Sequence, residues 1–111
     1  MITVWATTQF ESTHRWPNAF KEVEYLKNEH RHIFHVKLEI TVDNPDREIE
    51  FITLKNRLTE FCIMKFAPGS IRSCEDMCME IYSWAGQTME AYKVYSVTVS
   101  EDGENGATLR A

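Results

Sequence analysis

The sequence predicts an α+β domain with the element order ββααββ, in which a four-stranded antiparallel sheet carries two helices on one face. Two segments near the start alternate apolar and polar residues, as strands do. Two segments in the middle repeat apolar residues every three or four positions, as helices do. A third alternating segment and a Gly-containing turn predict a closing hairpin. A chain of 111 residues suits a single domain spanning residues 1–111.

The first two strands are predicted at residues 2–13 and at His30–Val42. The second has the clearest pattern, because apolar side chains occupy every second position from Phe34 to Val42. The first is rich in Thr, Val and aromatic residues and shows the same two-residue period. Between them, the charged stretch Lys21–Glu29 has no clear period and is compatible with a loop or a frayed turn.

Two helices are predicted in the middle of the chain. The first covers Phe51–Lys65 and is ended by Pro68 and Gly69. Its expected apolar stripe comprises Phe51, Leu54, Leu58, Phe61, Cys62 and Met64. The second begins after Ser73, which forms an approximate capping box with Asp76. Its expected apolar stripe comprises Met77, Cys78, Ile81, Trp84 and Ala85.

The closing hairpin is predicted from a third alternating segment, Tyr92–Glu101. The apolar face expected for this strand comprises Tyr95, Val97 and Val99. Asp102–Gly106 supplies turn residues, because Asp, Asn and Gly tolerate tight backbone bends. The last short strand is then expected at Ala107–Arg110.

Composition argues against several classes of partner. The net charge of −5 is spread along the chain, and no cluster of Lys and Arg could track a phosphate backbone, so nucleic acid is not expected. The apolar runs are too short to span a membrane, and the first residues do not resemble a signal peptide, so we expect a cytoplasmic protein. Cys62, Cys74 and Cys78 show no C-x-x-C spacing and are expected to be reduced and buried.

Three histidines form the candidate metal site. His30 and His32 are separated by one residue, so on a strand their side chains leave the same face and can converge on one ion. His14 ends the first predicted strand, and antiparallel pairing can bring it beside them. Three neutral imidazoles on Zn²⁺ leave a fourth position open, as in catalytic zinc sites. The alternative is a set of exposed strand residues, since His35 lies in the same segment.

Five segments, in the same order along the chain, resemble motifs of the 6-pyruvoyltetrahydropterin and 6-carboxytetrahydropterin synthase family, which includes the enzyme of the queuosine pathway. The resemblance covers nearly the whole chain and implies the tunnelling fold of that family. The matching segments, each with its family motif, are Phe10–His14 (F-x-A-x-H), His30–His32 (H-G-H), Glu48–Lys55 (V-x-D-F-x-x-L-K), Ser73–Glu75 (P-T-x-E) and Val99–Glu101 (V-x-E).

The resemblance also implies a ligand set. His14, His30 and His32 would bind zinc, and Glu101 would anchor the 2-amino-4-oxo edge of a pterin, since one carboxylate can accept two parallel N–H bonds. Ser73 and Cys74 would border the pterin pocket. Members of the family form hexamers from trimers whose sheets join into a barrel, so the resemblance implies a homo-oligomer, a trimer or a hexamer.

The chain departs from the family where the catalytic base should stand. Leu26 occupies the position of the usual cysteine, and Lys27 that of the glutamate used by a related subgroup. The family's L-D-H segment has no counterpart in 59–72. Glu24 is a candidate replacement for the base, and Cys74 is another, since we expect a helix N-terminus to lower the pKa of a thiol.

Two functions are therefore compatible with the sequence. The first is a zinc-dependent carbon–oxygen lyase that acts on a pterin such as dihydroneopterin triphosphate. The second is a pterin- or purine-binding module that keeps the zinc site and has altered or lost the catalytic activity. The absent cysteine and the absent L-D-H segment favour the second function.

Overall fold

Four antiparallel strands form one sheet in the order β1-β2-β3-β4, and two helices pack on one of its faces, as the sequence predicts. The computed structural model describes residues 1–89 and 93–111. Its elements are β1 (Ile2–His14), a 3₁₀ helix (Lys21–Lys27), β2 (His30–Val42), α1 (Phe51–Phe66), α2 (Cys74–Thr88), β3 (Val94–Glu101) and β4 (Asn105–Arg110). Tyr92, predicted to begin the third strand, lies outside the described residues.

The core lies between the sheet and the helices, and β2 contributes more residues to it than any other strand. Its alternate residues from Phe34 to Ile40 are at most 1% exposed, because β1 and β3 flank the strand and both helices pack side chains into the same core cluster. Ala6 and Phe10 of β1 join this cluster, and the Phe10 ring stacks on Phe34 with the centroids 5.4 Å apart. The alternation in the sequence is therefore the pattern of a sheet with one buried face.

Helix α1 begins one residue after Glu50, whose carboxylate accepts hydrogen bonds from the backbone N–H groups of Ile52 and Thr53. This cap satisfies two of the N–H groups that a helix start leaves unpaired. The buried stripe comprises Leu54, Leu58, Cys62 and Phe66.

The expected stripe of α1 was wrong at two positions, Phe51 and Met64, which are 59% and 73% exposed. Met64 lies two residues from Cys62, about 200° around the helix, and so faces away from the sheet. Phe51 is the first helical residue, and helical side chains lean towards the N-terminus, so its ring extends beyond the start of the helix.

Helix α2 begins as predicted, because the Ser73 hydroxyl accepts a hydrogen bond from the N–H of Asp76 at 3.1 Å. Its buried residues are Cys74, Met77, Cys78, Ile81 and Ala85. Trp84, predicted in this stripe, is only partly buried and stacks on Phe61 of α1 with the centroids 4.7 Å apart. No helix within 1–89 and 93–111 has both the length and the apolarity needed to cross a membrane.

A shift in register corrects the predicted apolar face of β3. Pairing between β2 and β3 shifts by one residue between Glu39 and Ile40, so that Val94 pairs with Ile40. Val94 is 1% exposed and takes the core position, whereas Tyr95 is half-buried. The prediction of Tyr95 on the core face was wrong because a bulge reverses the alternation of side chains. Val97 and Val99 are fully buried, as expected.

The last strand starts two residues earlier than predicted, at Asn105 instead of Ala107. Gly106 pairs with Ser100 of β3, and a Cβ at position 106 would lie 2.1 Å from the carbonyl oxygen of Val99. The close approach of β3 and β4 therefore requires glycine at this position.

We expect Gly106→Ala to lower the free energy of unfolding by about 1–3 kcal/mol, because the added methyl group would force β3 and β4 apart. Gly103→Asn is the matched control in the same turn. A Cβ there would meet only His35, at 3.9 Å, and asparagine tolerates the φ of 72°. Urea denaturation of both variants checks the prediction. Equal losses of stability would contradict it.

Candidate metal centre

The pairing of the strands brings the three predicted histidines together. His14 lies opposite His30 in the β1–β2 ladder, and His32 lies two residues further along β2. The centroid of the His14 ring is 4.6 Å from that of His30 and 5.1 Å from that of His32. All three leave the sheet on the face that carries the helices, because they share the parity of the buried Phe34. The structure therefore places them in one cluster, as the sequence predicts.

Each histidine has an oxygen acceptor on its Nδ1 atom. His14 contacts the carbonyl oxygen of Arg72 at 3.2 Å, and His30 contacts that of Asn28 at 2.8 Å. His32 contacts the carboxylate of Asp102 at 2.7 Å. Carbonyl and carboxylate oxygens only accept, so each Nδ1 must carry a proton. In the neutral ring this leaves the lone pair on Nε2, the form that binds a metal.

Glu101 is the fourth member of the cluster. Phe34 pairs with Glu101 across β2 and β3, so its side chain extends on the same face as the histidines. One carboxylate oxygen lies 2.9 Å from Nε2 of His14 and 3.0 Å from Nε2 of His32. The lone pairs of the three atoms point towards one another, an arrangement that a shared metal ion would stabilise.

The types of donor atom in this cluster fit a zinc ion. One ligand atom from each of His14, His30, His32 and Glu101 lies within 4.8 Å of the others. Donor atoms around a tetrahedral Zn²⁺ are about 3.3 Å apart, given metal–donor bonds of about 2.0 Å. Imidazole nitrogens and a carboxylate oxygen are the ligand types that zinc accepts, and the three Nδ1 acceptors supply the supporting shell that metal-bound histidines usually have.

The connection between α1 and α2 holds His14 in place. Ser70 donates its N–H to the carbonyl of Thr13 at 3.1 Å and accepts from the N–H of Arg15 at 3.2 Å, which extends β1 by one parallel bridge. This docking sets the Arg72 carbonyl against His14. Gly69 makes the bend with φ 93°, and a Cβ there would lie 2.8 Å from the Thr13 hydroxyl. The short connection thus supports the histidine cluster.

A cavity of about 800 Å³ opens over the four residues. Ser73, Cys74 and Glu101, the three residues expected to contact a pterin, line it together with the three histidines. Leu26, at the position of the absent cysteine, also lines it, beside Trp16 and Tyr25. Glu24 is exposed, pairs with Lys27 at 3.5 Å and is not among the described residues of the cavity wall. The structure therefore does not bring Glu24 to the histidines.

The expectation that Cys74 has a lowered pKa was wrong. Burial raises the pKa of the Cys74 thiol to about 12, and the charges of Glu101 and Glu75 add to this effect. The side chain is only 7% exposed although it begins a helix. Cys62 is fully buried, and desolvation raises its pKa to about 12 as well, in agreement with the expected buried, reduced state. Neither thiol is ionised near neutral pH.

The contacts of two acidic residues at this site were not anticipated from the sequence. The Glu101 carboxylate, assigned to a pterin, lies against two histidines, and Asp102 accepts from His32. The only signal in the sequence was the position of both acids at the end of an alternating strand, and their contacts depend on the β2–β3 register. The N–H of Ile33 and then the His32 ring hold the pKa of Asp102 below its usual range, so its carboxylate is an ionised acceptor.

No protein-family model matches the sequence, and neither does any curated protein. Among solved structures, the chain is similar to 6-pyruvoyl tetrahydropterin synthase from Caenorhabditis elegans, with a TM-score of 0.73 and 14% identity over 99% of this chain and 95% of that one. It is also similar to an uncharacterized protein from Wolinella succinogenes, with a TM-score of 0.71 and 11% identity over 99% of both chains. The chain therefore shares the tunnelling fold of a tetrahydropterin synthase and carries a His/Glu group able to hold a metal.

Proposed function

We propose that this protein binds one zinc ion through His14, His30 and His32 and uses the cavity above it to bind a pterin-like heterocycle. The convergence of three imidazoles, each with an acceptor on Nδ1, is the observation that carries the proposal. Three imidazole nitrogen donors favour zinc over magnesium or calcium, which prefer sites built from oxygen ligands.

Replacement of one ligand tests the zinc site. We expect His30→Ala to lower the zinc affinity more than about a hundredfold, because the ion loses one direct bond. His35→Ala is the matched control, since His35 lies on the same strand but points to the opposite face. Competition against a chromophoric chelator measures both affinities, with one Zn²⁺ expected per wild-type chain. Unchanged binding in His30→Ala would refute the proposed ligand set.

The cavity suits a flat, nitrogen-rich ring. Trp16, Tyr25 and Leu26 give one wall an apolar surface on which such a ring can stack. Glu101, whose side chain is 25% exposed at the base of the cavity, can accept two N–H bonds from a 2-amino-4-oxo edge. The similarity to a tetrahydropterin synthase makes a pterin the first ligand to test.

Binding without turnover is the form of this function that we favour. Leu26 cannot accept a proton, and burial keeps the Cys74 thiol neutral, so neither replaces a catalytic thiolate. A lyase is the second candidate, and Glu75 favours it. This carboxylate lines the cavity and could accept a proton from a bound ligand.

Dihydroneopterin triphosphate distinguishes the two functions. We expect the zinc-loaded protein to bind it without consuming it, and Glu101→Gln to bind it at least tenfold more weakly, because the amide accepts fewer N–H bonds. Glu104→Gln, on the same cavity wall, is the control for lost charge. Equilibrium dialysis measures affinity, and pterin fluorescence detects turnover. Turnover above that of His30→Ala would establish the lyase, and no binding would exclude the pterin.

We also propose that the chain assembles into a trimer or hexamer. Strands β1 and β4 are the two edges of the sheet, and each leaves unpaired backbone groups that a second copy could bind. Joining the edges of three sheets would close a barrel, the assembly that the family resemblance implies.

Light scattering tests the assembly. The expected mass is three or six times that of the 13.0 kDa chain. The mass should persist on dilution, because closure leaves no exposed edge. A monomeric mass at every concentration would overturn this prediction.

A further inference from the structure

The turn between β3 and β4 is fastened to β2 through Asp102. Its backbone N–H donates to the carbonyl of Ile33 at 2.7 Å, and its Oδ1 accepts from the N–H of Ile33 at 2.9 Å. Asp102 has φ 57°, a left-handed conformation that Asp and Asn adopt more readily than most residues. These bonds to Ile33 fix the direction of the carboxylate independently of its contact with His32.

The second carboxylate oxygen, Oδ2, faces the imidazole of His32. Its distance of 2.7 Å from Nδ1 is that of a strong, charge-assisted hydrogen bond. The neighbouring Nε2 lies 3.0 Å from Glu101, on the side where the other two histidines converge. Asp102 thus holds the far side of the ring whose near side faces the metal position.

We infer that Asp102 is a positioning residue that fixes the tautomer and orientation of His32 for metal binding. The inference rests on the proposed zinc site and extends it. A carboxylate on Nδ1 keeps the proton there, leaves the lone pair on Nε2 and increases the basicity of the ring towards the metal.

Asp102 differs from the partners of the other two histidines. His14 and His30 are held by backbone carbonyls, whose position depends on the chain path and not on the side chain at that residue. His32 is held by a side chain. A point substitution can therefore change the orientation of His32 while the backbone contacts of the other two rings remain.

Asp102→Asn is the informative variant, because Asn keeps the shape and tolerates the positive φ. If its oxygen accepts from Ile33, its NH₂ group faces Nδ1 of His32, which must then give up its proton and carry it on Nε2. That tautomer presents no lone pair to the metal. We expect the zinc affinity to fall about 10–100-fold and the His32 tautomer of the metal-free protein to change, as read from ¹⁵N shifts of the ring.

Glu104→Gln is the matched control, because it removes one negative charge from the same turn and the same cavity wall. It should leave the His32 tautomer and the zinc affinity unchanged. Asp102→Gly keeps the backbone conformation and removes the carboxylate. It should weaken zinc binding as well, and it serves as the second variant if Asp102→Asn does not fold.

Two results would overturn the inference. The first is that folded Asp102→Asn or Asp102→Gly keeps the His32 tautomer of the wild type and also binds zinc with an affinity within twofold of the wild type. The other is an equal loss in Glu104→Gln, which would make the effect one of net charge. If the wild type binds no zinc, the metal proposal fails. The comparison of tautomers still decides whether Asp102 fixes the tautomer of the His32 ring.

Discussion

The antiparallel register of β1, β2 and β3 is the constraint on which the site depends. It sets His14 opposite His30 and Phe34 opposite Glu101, so ligands from three strands meet on one face. Side chains alternate between faces, so a slip of one residue would turn the ligands of one strand away from the others. The fully buried run in β2 resists such a slip because it would expose the core. Packing thus stabilises a cluster of three histidines and Glu101 whose own side chains are only partly buried.

The elements of the fold were largely predictable, because two-residue and 3.6-residue periods are properties of the sequence itself. The bounds of β2 and the Ser73 cap agree with prediction. The sequence could not predict that Val94 takes the core position expected for Tyr95, since a bulge depends on how two strands pair. The histidine pair was predictable from spacing on one strand. The contacts of Glu101 and Asp102 were not, because they join residues about 70 positions apart.

The four residues form a candidate metal site, but neither Leu26 nor Cys74 in the cavity wall can act as a general base near neutral pH. Burial and two nearby carboxylates keep the Cys74 thiol neutral, and an aliphatic side chain, Leu26, stands in the cavity wall. Metal binding needs only a fixed set of lone pairs, whereas proton transfer also needs a group whose pKa matches the working pH. The two requirements depend on different parts of the chain. The strands supply the ligands, and the loops and the helix start form most of the cavity wall.

The backbone carbonyls behind His14 and His30 have a consequence for how the sequence can vary. Arg72 and Asn28 contribute main-chain oxygens, and nearly any amino acid at those positions would supply the same oxygen. The surface beside the histidine cluster can therefore accumulate substitutions without releasing two of the three rings. Such a scaffold can vary the side chains around the histidine cluster while the orientation of these two rings is retained.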